Sequence, residues 1–189
     1  MTMTGDSTVA GLADEIRSGS RSAMAALFDA HADAVYTYCF RRCAAWDVAE
    51  DLTSTVFLEA WRGRDRMVVH NGSLLPWLYG IATNVCRNQA RSQRRHLRAV
   101  ARLPRPVTVA DHADEAVTKV DDERRMRVIH GRIAALSKGD RDVLALVVWE
   151  QLDYPSVAAA LSIPVGTVKS RMARVRRRLA APEPDRSSS

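Results

Sequence analysis

Apolar residues recur at intervals of three and four along most of this chain, and that spacing commits it to helices. Met24, Leu27, Phe28, His31, Val35, Tyr38 and Cys39 make one stripe, and Val48, Leu52, Val56 and Ala60 a second. Leu74, Leu78, Ile81 and Val85 make a third. Such spacing puts each set on one side of a 3.6-residue turn. Pro76 is tolerated in the first turn of the third helix. Alternating stretches and turn-flanked β-branched runs are scarce. The chain is expected to be all-α.

The apolar period lapses over LPRPVTVADHADEA (103–116), which holds two prolines, and resumes from about Ala116 to Leu136. This reads as a linker with a stiff start. Two small helical domains are expected, 8–100 and 117–181, joined by a flexible linker at 101–116. A polar, disordered tail at 182–189 follows. Each half has only a modest core of its own. No apolar run approaches the ~20 residues of a membrane span, and the N-terminus lacks the basic-then-apolar order of a signal peptide. A soluble, cytoplasmic chain without membrane insertion is the expectation.

Charge is segregated along the chain. Residues 29–59 hold six acids against Arg41 and Arg42, and 87–105 hold seven arginines and no acid. Residues 111–123 hold six acids against Lys119, and 169–178 hold six bases and no acid. All but three of the 28 basic residues are arginines, and the net charge is +6. Arginine suits forked contacts to phosphate and guanine better than lysine. In the free protein, the acidic stretch Asp111–Glu123 could lie against an arginine face and suppress binding there.

The sharpest local pattern is DRDVLALVVWEQLDYPSVAAALSIPVGTVKSRMARVRRRL, 140–179. It divides into a helix near 140–150, a short helix near 155–161, a turn at Ser162-Ile163-Pro164 and a long helix from Val165. Val157, Leu161, Ile163 and Val168 are expected to hold the short helices at a steep angle, as in a helix-turn-helix. Val168, Met172, Val175 and Leu179 form the buried stripe of the last helix. Its other side carries Thr167, Ser170, Arg171, Arg174, Arg177 and Arg178, with Lys169 at the flank. Such a helix fits the major groove, its first residues meeting bases and its later arginines meeting phosphates.

Together with AEDLTSTVFLEAW (49–61) and WLYGIATNVCRNQARSQRR (77–95), this segment resembles the sigma-70 family of bacterial RNA polymerase specificity subunits. The layout resembles the small extracytoplasmic-function (ECF) class, which keeps only regions 2 and 4. The resemblance implies that Glu50, Asp51, Thr55 and Glu59 contact the clamp helices of core polymerase. An acidic face suits a basic protein partner and is repelled by DNA. It further implies that the loop residues His70, Asn71, Gly72 and Ser73, with Asn84, Asn88, Arg91 and Arg95, take the −10 element. A pocket there recovers the cost of unstacking a base. The −35 element falls to Lys169, Ser170, Arg171 and Arg174. This chain has Ser54 and Thr55 where relatives often carry Gln and Glu, Val68 and Val69 where Phe is common, and Pro155-Ser156 in place of an acidic pair. Core polymerase (clamp helices and flap), promoter DNA and an anti-sigma factor are the implied partners.

Enzymatic readings find little support. Cys39 and Cys43 lie four apart with His31 two turns earlier, but a zinc site needs a fourth ligand. Both thiols follow the apolar stripe and are expected to be structural. Cys86 adjoins Arg87 with no His close in sequence, and neither a phosphate-cradling Gly-rich loop nor HExxH occurs. No catalytic residue, metal or cofactor is expected. Trp61 and Trp77 are expected in the core. The competing function is a stand-alone regulator binding operator DNA without polymerase, for which a second strand-reading basic helix at 84–98 has no use.

Overall fold

The computed structural model describes residues 4–100 and 117–180. Eight α-helices account for most of it, and no strand occurs among the described residues. They are α1 (Thr4–Arg17), α2 (Arg21–Cys43), α3 (Trp46–Arg62), α4 (Leu75–Val100), α5 (Val117–Ile133), α6 (Lys138–Leu144), α7 (Tyr154–Leu161) and α8 (Val165–Ala180). The all-α expectation holds. The expected linker 101–116 and tail 182–189 lie outside the described residues.

Local chemistry sets the helix ends. The Ser20 hydroxyl accepts the Ala23 N–H (3.2 Å) at the start of α2, and Ala44, at φ 57°, ends it. Ser137 caps α6 through the Asp140 N–H, and Asp153 caps α7 through the Ser156 N–H (2.8 Å). Each cap satisfies a donor the first helical turn leaves unpaired. Hydrogen bonding from Ser156 holds the Asp153 carboxyl below its usual range, helped by nearby His70. Ser162, at φ 52°, ends α7 and opens the tight turn into α8. The expected helix near 140–150 is divided: α6 stops at Leu144, and a π-helical turn covers Ala145–Trp149.

The predicted stripes meet in the core. Leu27, Val35, Tyr38 and Cys39 of α2, Leu52, Val56 and Ala60 of α3, and Leu78 of α4 are buried together. Tyr38 joins Thr83 of α4 through a 2.7 Å hydroxyl–hydroxyl bond, and Thr83 donates back to the Tyr79 carbonyl. Trp46 stacks on Phe40, with ring centroids 3.5 Å apart.

The two halves share one continuous core, because α4 packs along α7 as well as against α2 and α3. Contacts at Gly80, Asp142 and Glu150 help to make that junction. Gly80 of α4 lies so close to α7 that an added Cβ would sit 2.4 Å from the Ala160 carbonyl oxygen. Asp142 of α6, fully buried, receives Arg42 of α2 and both Nε (2.9 Å) and a terminal nitrogen (2.6 Å) of Arg87 of α4. Glu150 accepts Arg41 (3.0 Å) and the Tyr79 hydroxyl (2.7 Å). A buried carboxylate is tolerable only when paired and hydrogen-bonded in this way.

Candidate nucleic-acid interfaces

The C-terminal unit is built on α7, the turn at 162–164 and α8. Val157 and Val168 are fully buried, and Leu161 and Ile163 partly so. Val168, Met172 and Val175 line the inner side of α8, but Leu179 is 50% exposed. The buried stripe thus ends a turn early. Lys169, Ser170, Arg174, Arg177 and Arg178 are exposed, and Thr167 and Arg171 half-buried.

Several of these side chains have intramolecular partners. Arg174 donates to the buried carboxylate of Asp140 (2.9 and 3.3 Å). Arg178 donates to the Ala135 carbonyl (2.6 Å), and the Arg171 guanidinium lies over Gly139. Ser170 donates to the Thr167 carbonyl (3.1 Å). Arg176, outside the predicted basic face, reaches the Tyr154 hydroxyl (3.3 Å). Among the described residues, Lys169 and Arg177 make no ion pair.

In the N-terminal unit the loop before α4 is a tight turn. His70 and Ser73 exchange both backbone hydrogen bonds, with Asn71 at φ 50° and Gly72 at φ 69°. Two successive positive φ values favour this Asn-Gly pair. Ser73 accepts the Leu75 N–H (3.2 Å) and so starts α4. His70 Nε2 is buried without a hydrogen-bond partner.

A groove of about 730 Å³ runs between α3 and α4, and the predicted loop residues His70, Asn71, Gly72 and Ser73 do not line it. Asn84, Asn88 and Arg95 line it from α4, and Thr55 and Glu59 from α3. The structure therefore sets residues expected to face a protein in the same groove as residues expected to face a base. Arg62, Arg66, Trp77 and Gln89 also line it. Arg62 and Arg66 lie at the C-terminal end of α3 and just beyond, outside the basic blocks at 87–105 and 169–178. Arg91, expected on the Asn84–Asn88–Arg95 face, lies instead in a separate cleft toward α6. The neighbouring α5–α6 segment decides this, and its approach does not show in spacing alone.

The acidic surface of α3 is open. Glu50, Asp51, Thr55 and Glu59 are exposed, Thr55 donates to its own helix at the Asp51 carbonyl (2.8 Å), and Glu59 pairs with Arg62 (2.7 Å). Leu58 stands 47% exposed beside them. Of the acidic stretch expected near an arginine face, Glu123 accepts the Trp46 N–H (3.2 Å) at the start of α3 and pairs with Arg127. Residues 111–116 of it lie outside the described residues. Trp61 corrects the core expectation: it is half-buried with the Arg64 guanidinium 4.7 Å above its ring, while Trp77 is half-buried at the groove.

Cys39 and Cys86 are buried with sulfurs 3.9 Å apart, and Cys43 donates to the Ala45 carbonyl. Burial pushes the Cys43 thiol up to about 11, and Cys86 is raised through its contact with Cys39 and by burial. Protonated thiols are poor ligands and poor nucleophiles. Among the described residues, no three His, Cys, Asp or Glu side chains are grouped to hold a metal.

A basic helix-turn-helix, an amide-lined groove and an acidic helix occur here in one chain, and comparison with known proteins places it. Residues 27–96 match Sigma-70 region 2, and residues 126–179 match Sigma-70, region 4. ECF RNA polymerase sigma factor SigK of Mycobacterium sp. (strain KMS) is 30% identical over 155 residues, covering 79% of this chain and 77% of that protein. The chain belongs to the sigma-70 family. The sigma factor SigW of Bacillus subtilis (strain 168) is 29% identical over 174 residues, covering 87% and 91% of the two chains. Two solved structures share the fold. CnrH, in complex with the cytosolic domain of CnrY, superposes with a TM-score of 0.63 at 20% identity, over 89% of this chain and 92% of that one. RpoE of Bartonella quintana, in complex with the anti-sigma factor NepR, gives 0.56 at 24% identity, over 80% and 91%. This sigma factor is therefore of the ECF type, and the stand-alone regulator is not favoured. No helix among the described residues is long and apolar enough to cross a membrane.

Proposed function

We propose that this sigma factor docks on core polymerase through the exposed acidic face of α3, takes the −10 element in the α3–α4 groove, and takes the −35 element on α8. The groove carries the reading. It unites two amides that can pair with a base edge (Asn84, Asn88), a half-buried tryptophan that can stack on one (Trp77), and Arg95 for the strand. Amides, an aromatic platform and a cation are the chemistry single-strand capture needs. On α8, Lys169 is free to meet base edges, Ser170 can accept from one while its hydroxyl donates to the Thr167 carbonyl, and Arg177 can meet the backbone. Within the −10 set, Ser73 and Gly72 shape the turn.

The two boxes lie, by their names, about 25 base pairs apart, on the order of 80 Å of duplex. With α4 packed on α7, the halves cannot span that distance, so they part on the promoter. Joining two weak readers raises their effective concentration once polymerase fixes the spacing. The protein acts without catalysis of its own, in the cytoplasm. The same α3 and α8 surfaces are those an anti-sigma factor would cover.

The test is transcription in vitro with purified core polymerase over a genomic library, start sites being mapped. Initiation at sites sharing two boxes at fixed spacing is expected. Tight binding to duplex DNA without core, and failure to co-elute with core at low salt, would overturn the reading.

A further inference from the structure

We propose that the cleft between the two halves is a binding site for a small, multiply charged anion of the oligophosphate class, whose occupation holds the halves together. The cleft encloses about 300 Å³ between the second half of α4 and the α5–α6 segment. That is the low end of the range for small-molecule sites, suited to a compact ligand.

Its charge is one-sided. Arg42, Arg87, Arg91, Arg94, Lys138 and Arg141 line it, against the single carboxylate of Asp142. Asp142 is buried and already engaged by Arg42 and Arg87. Among the described residues, Arg91 and Arg94 of α4 and Lys138 and Arg141 of α6 make no ion pair, so two cationic walls face each other. Their repulsion weakens the junction that Asp142 and Gly80 make. An anion carrying several charges reverses its sign, since each phosphate can accept forked hydrogen bonds from guanidinium groups on both walls. Trp149 and Ile133 add apolar lining beside these charges. His130 also lines the cleft, its Nε2–H donating to the Arg41 carbonyl (2.7 Å), which fixes the ring beside the site. A ligand bridging α4 and α6 favours the closed arrangement and opposes promoter engagement. That consequence rests on the sigma-factor reading; the binding does not.

The test is calorimetric titration of the full chain with inorganic tripolyphosphate. Three variants serve: Arg94→Glu with Lys138→Glu, Arg98→Glu as a control of equal sign outside the cleft, and Asp111→Asn with Asp114→Asn and Glu115→Gln. Circular dichroism confirms that each folds. Expected are one site per chain, at least tenfold weaker binding of orthophosphate, at least tenfold loss in the cleft variant, and less than twofold change in Arg98→Glu. Saturating tripolyphosphate should also raise the midpoint of thermal unfolding in the wild type but not in the cleft variant. Unchanged affinity in the cleft variant would place the anion elsewhere and overturn the proposal. Binding seen only after the linker acids are neutralised would make the chain's own acidic segment the occupant, with the same result. Neither polymerase nor promoter is present, so this outcome is separate from that of the transcription assay.

Discussion

Arg174 of α8 is held by Asp140 of α6, a carboxylate with no exposed surface, across 2.9 Å. The sequence offers Arg174 as a base or phosphate contact; the structure shows that the same guanidinium also ties the recognition helix to the helix beneath it. The two partners are unequal. Arg174 retains 44% of its side-chain surface and can turn to water, whereas Asp140 cannot.

Removal of the two should therefore differ. Arg174→Ala leaves a buried carboxylate without its cation and should cost about 1–3 kcal/mol of stability, the usual range for an unsatisfied buried group. Asp140→Asn leaves Arg174 solvated and should cost less. Urea denaturation of both variants measures the difference; equal losses would mean that Asp140 is not desolvated. On DNA, Arg174→Ala should weaken −35 binding by about 1–3 kcal/mol if the residue reads a base, and equally on all sequences if it meets phosphate.

At Gly80 two effects compete. Alanine in a helix interior is favoured over glycine by about 1 kcal/mol. Here the added methyl would meet the Ala160 carbonyl at 2.4 Å, and backbone cannot yield as a side-chain tip does. Overpacking of this kind costs about 1–3 kcal/mol, so the overlap wins, but only while α4 and α7 are packed. Gly80→Ala should therefore open the two halves without unfolding either. Small-angle scattering should show a larger radius of gyration and circular dichroism unchanged helicity. An unaltered radius would show that the junction tolerates the methyl.

This junction also marks how far sequence reading reaches. The apolar periods of α2, α3 and α4 and the turn before α8 are legible because they depend on residues within a few positions of each other. Asp142 reads as an ordinary acid early in a helix, since its partners Arg42 and Arg87 lie 100 and 55 residues away. Gly80 reads as a small helix defect until α7 is beside it. Arg91 shares a nominal face with Asn84 and Asn88, and only the approach of α6 draws it into another cleft. Among site residues, those on α4 and α8 carry a charge or amide pattern that spacing reveals. Arg62 and Arg66 carry none, and enter the groove only through the packing of α3 on α4.

Mild acid should loosen the contact of α5 with α2. Burial lowers the pKa of His130, as do the nearby Arg42 and Arg141 charges, while its bond to the Arg41 carbonyl pulls the other way. His31 is lowered by burial as well. A histidine whose folded pKa lies below the unfolded value of about 6.5 binds more protons when unfolded. Its contribution is then intact above that pH and is lost as pH falls through the window down to the folded pKa. The urea midpoint should drop as pH falls below about 6.5, and His130→Gln should flatten the slope. A slope unchanged in that variant would assign the effect to other groups.

The last pair of predictions separates the two reading surfaces. Asn84 faces the groove with only a long contact from Arg87 (3.4 Å), so its amide is available to a base. Asn84→Ala should slow strand opening more than it weakens the closed complex, as seen by permanganate reactivity against filter binding on one promoter. A defect confined to the closed complex would remove the groove from base capture. Arg177, exposed and making no ion pair among the described residues, should act as a point charge on phosphate. Its replacement by alanine should weaken binding on all sequences alike and reduce the salt slope by about one. Arg178 donates to the Ala135 carbonyl, and giving up that bond to reach DNA offsets part of its gain, so Arg178→Ala should lower affinity less. If the two substitutions lower affinity equally, the Ala135 contact does not persist on DNA and α8 docks with its last turn fully released.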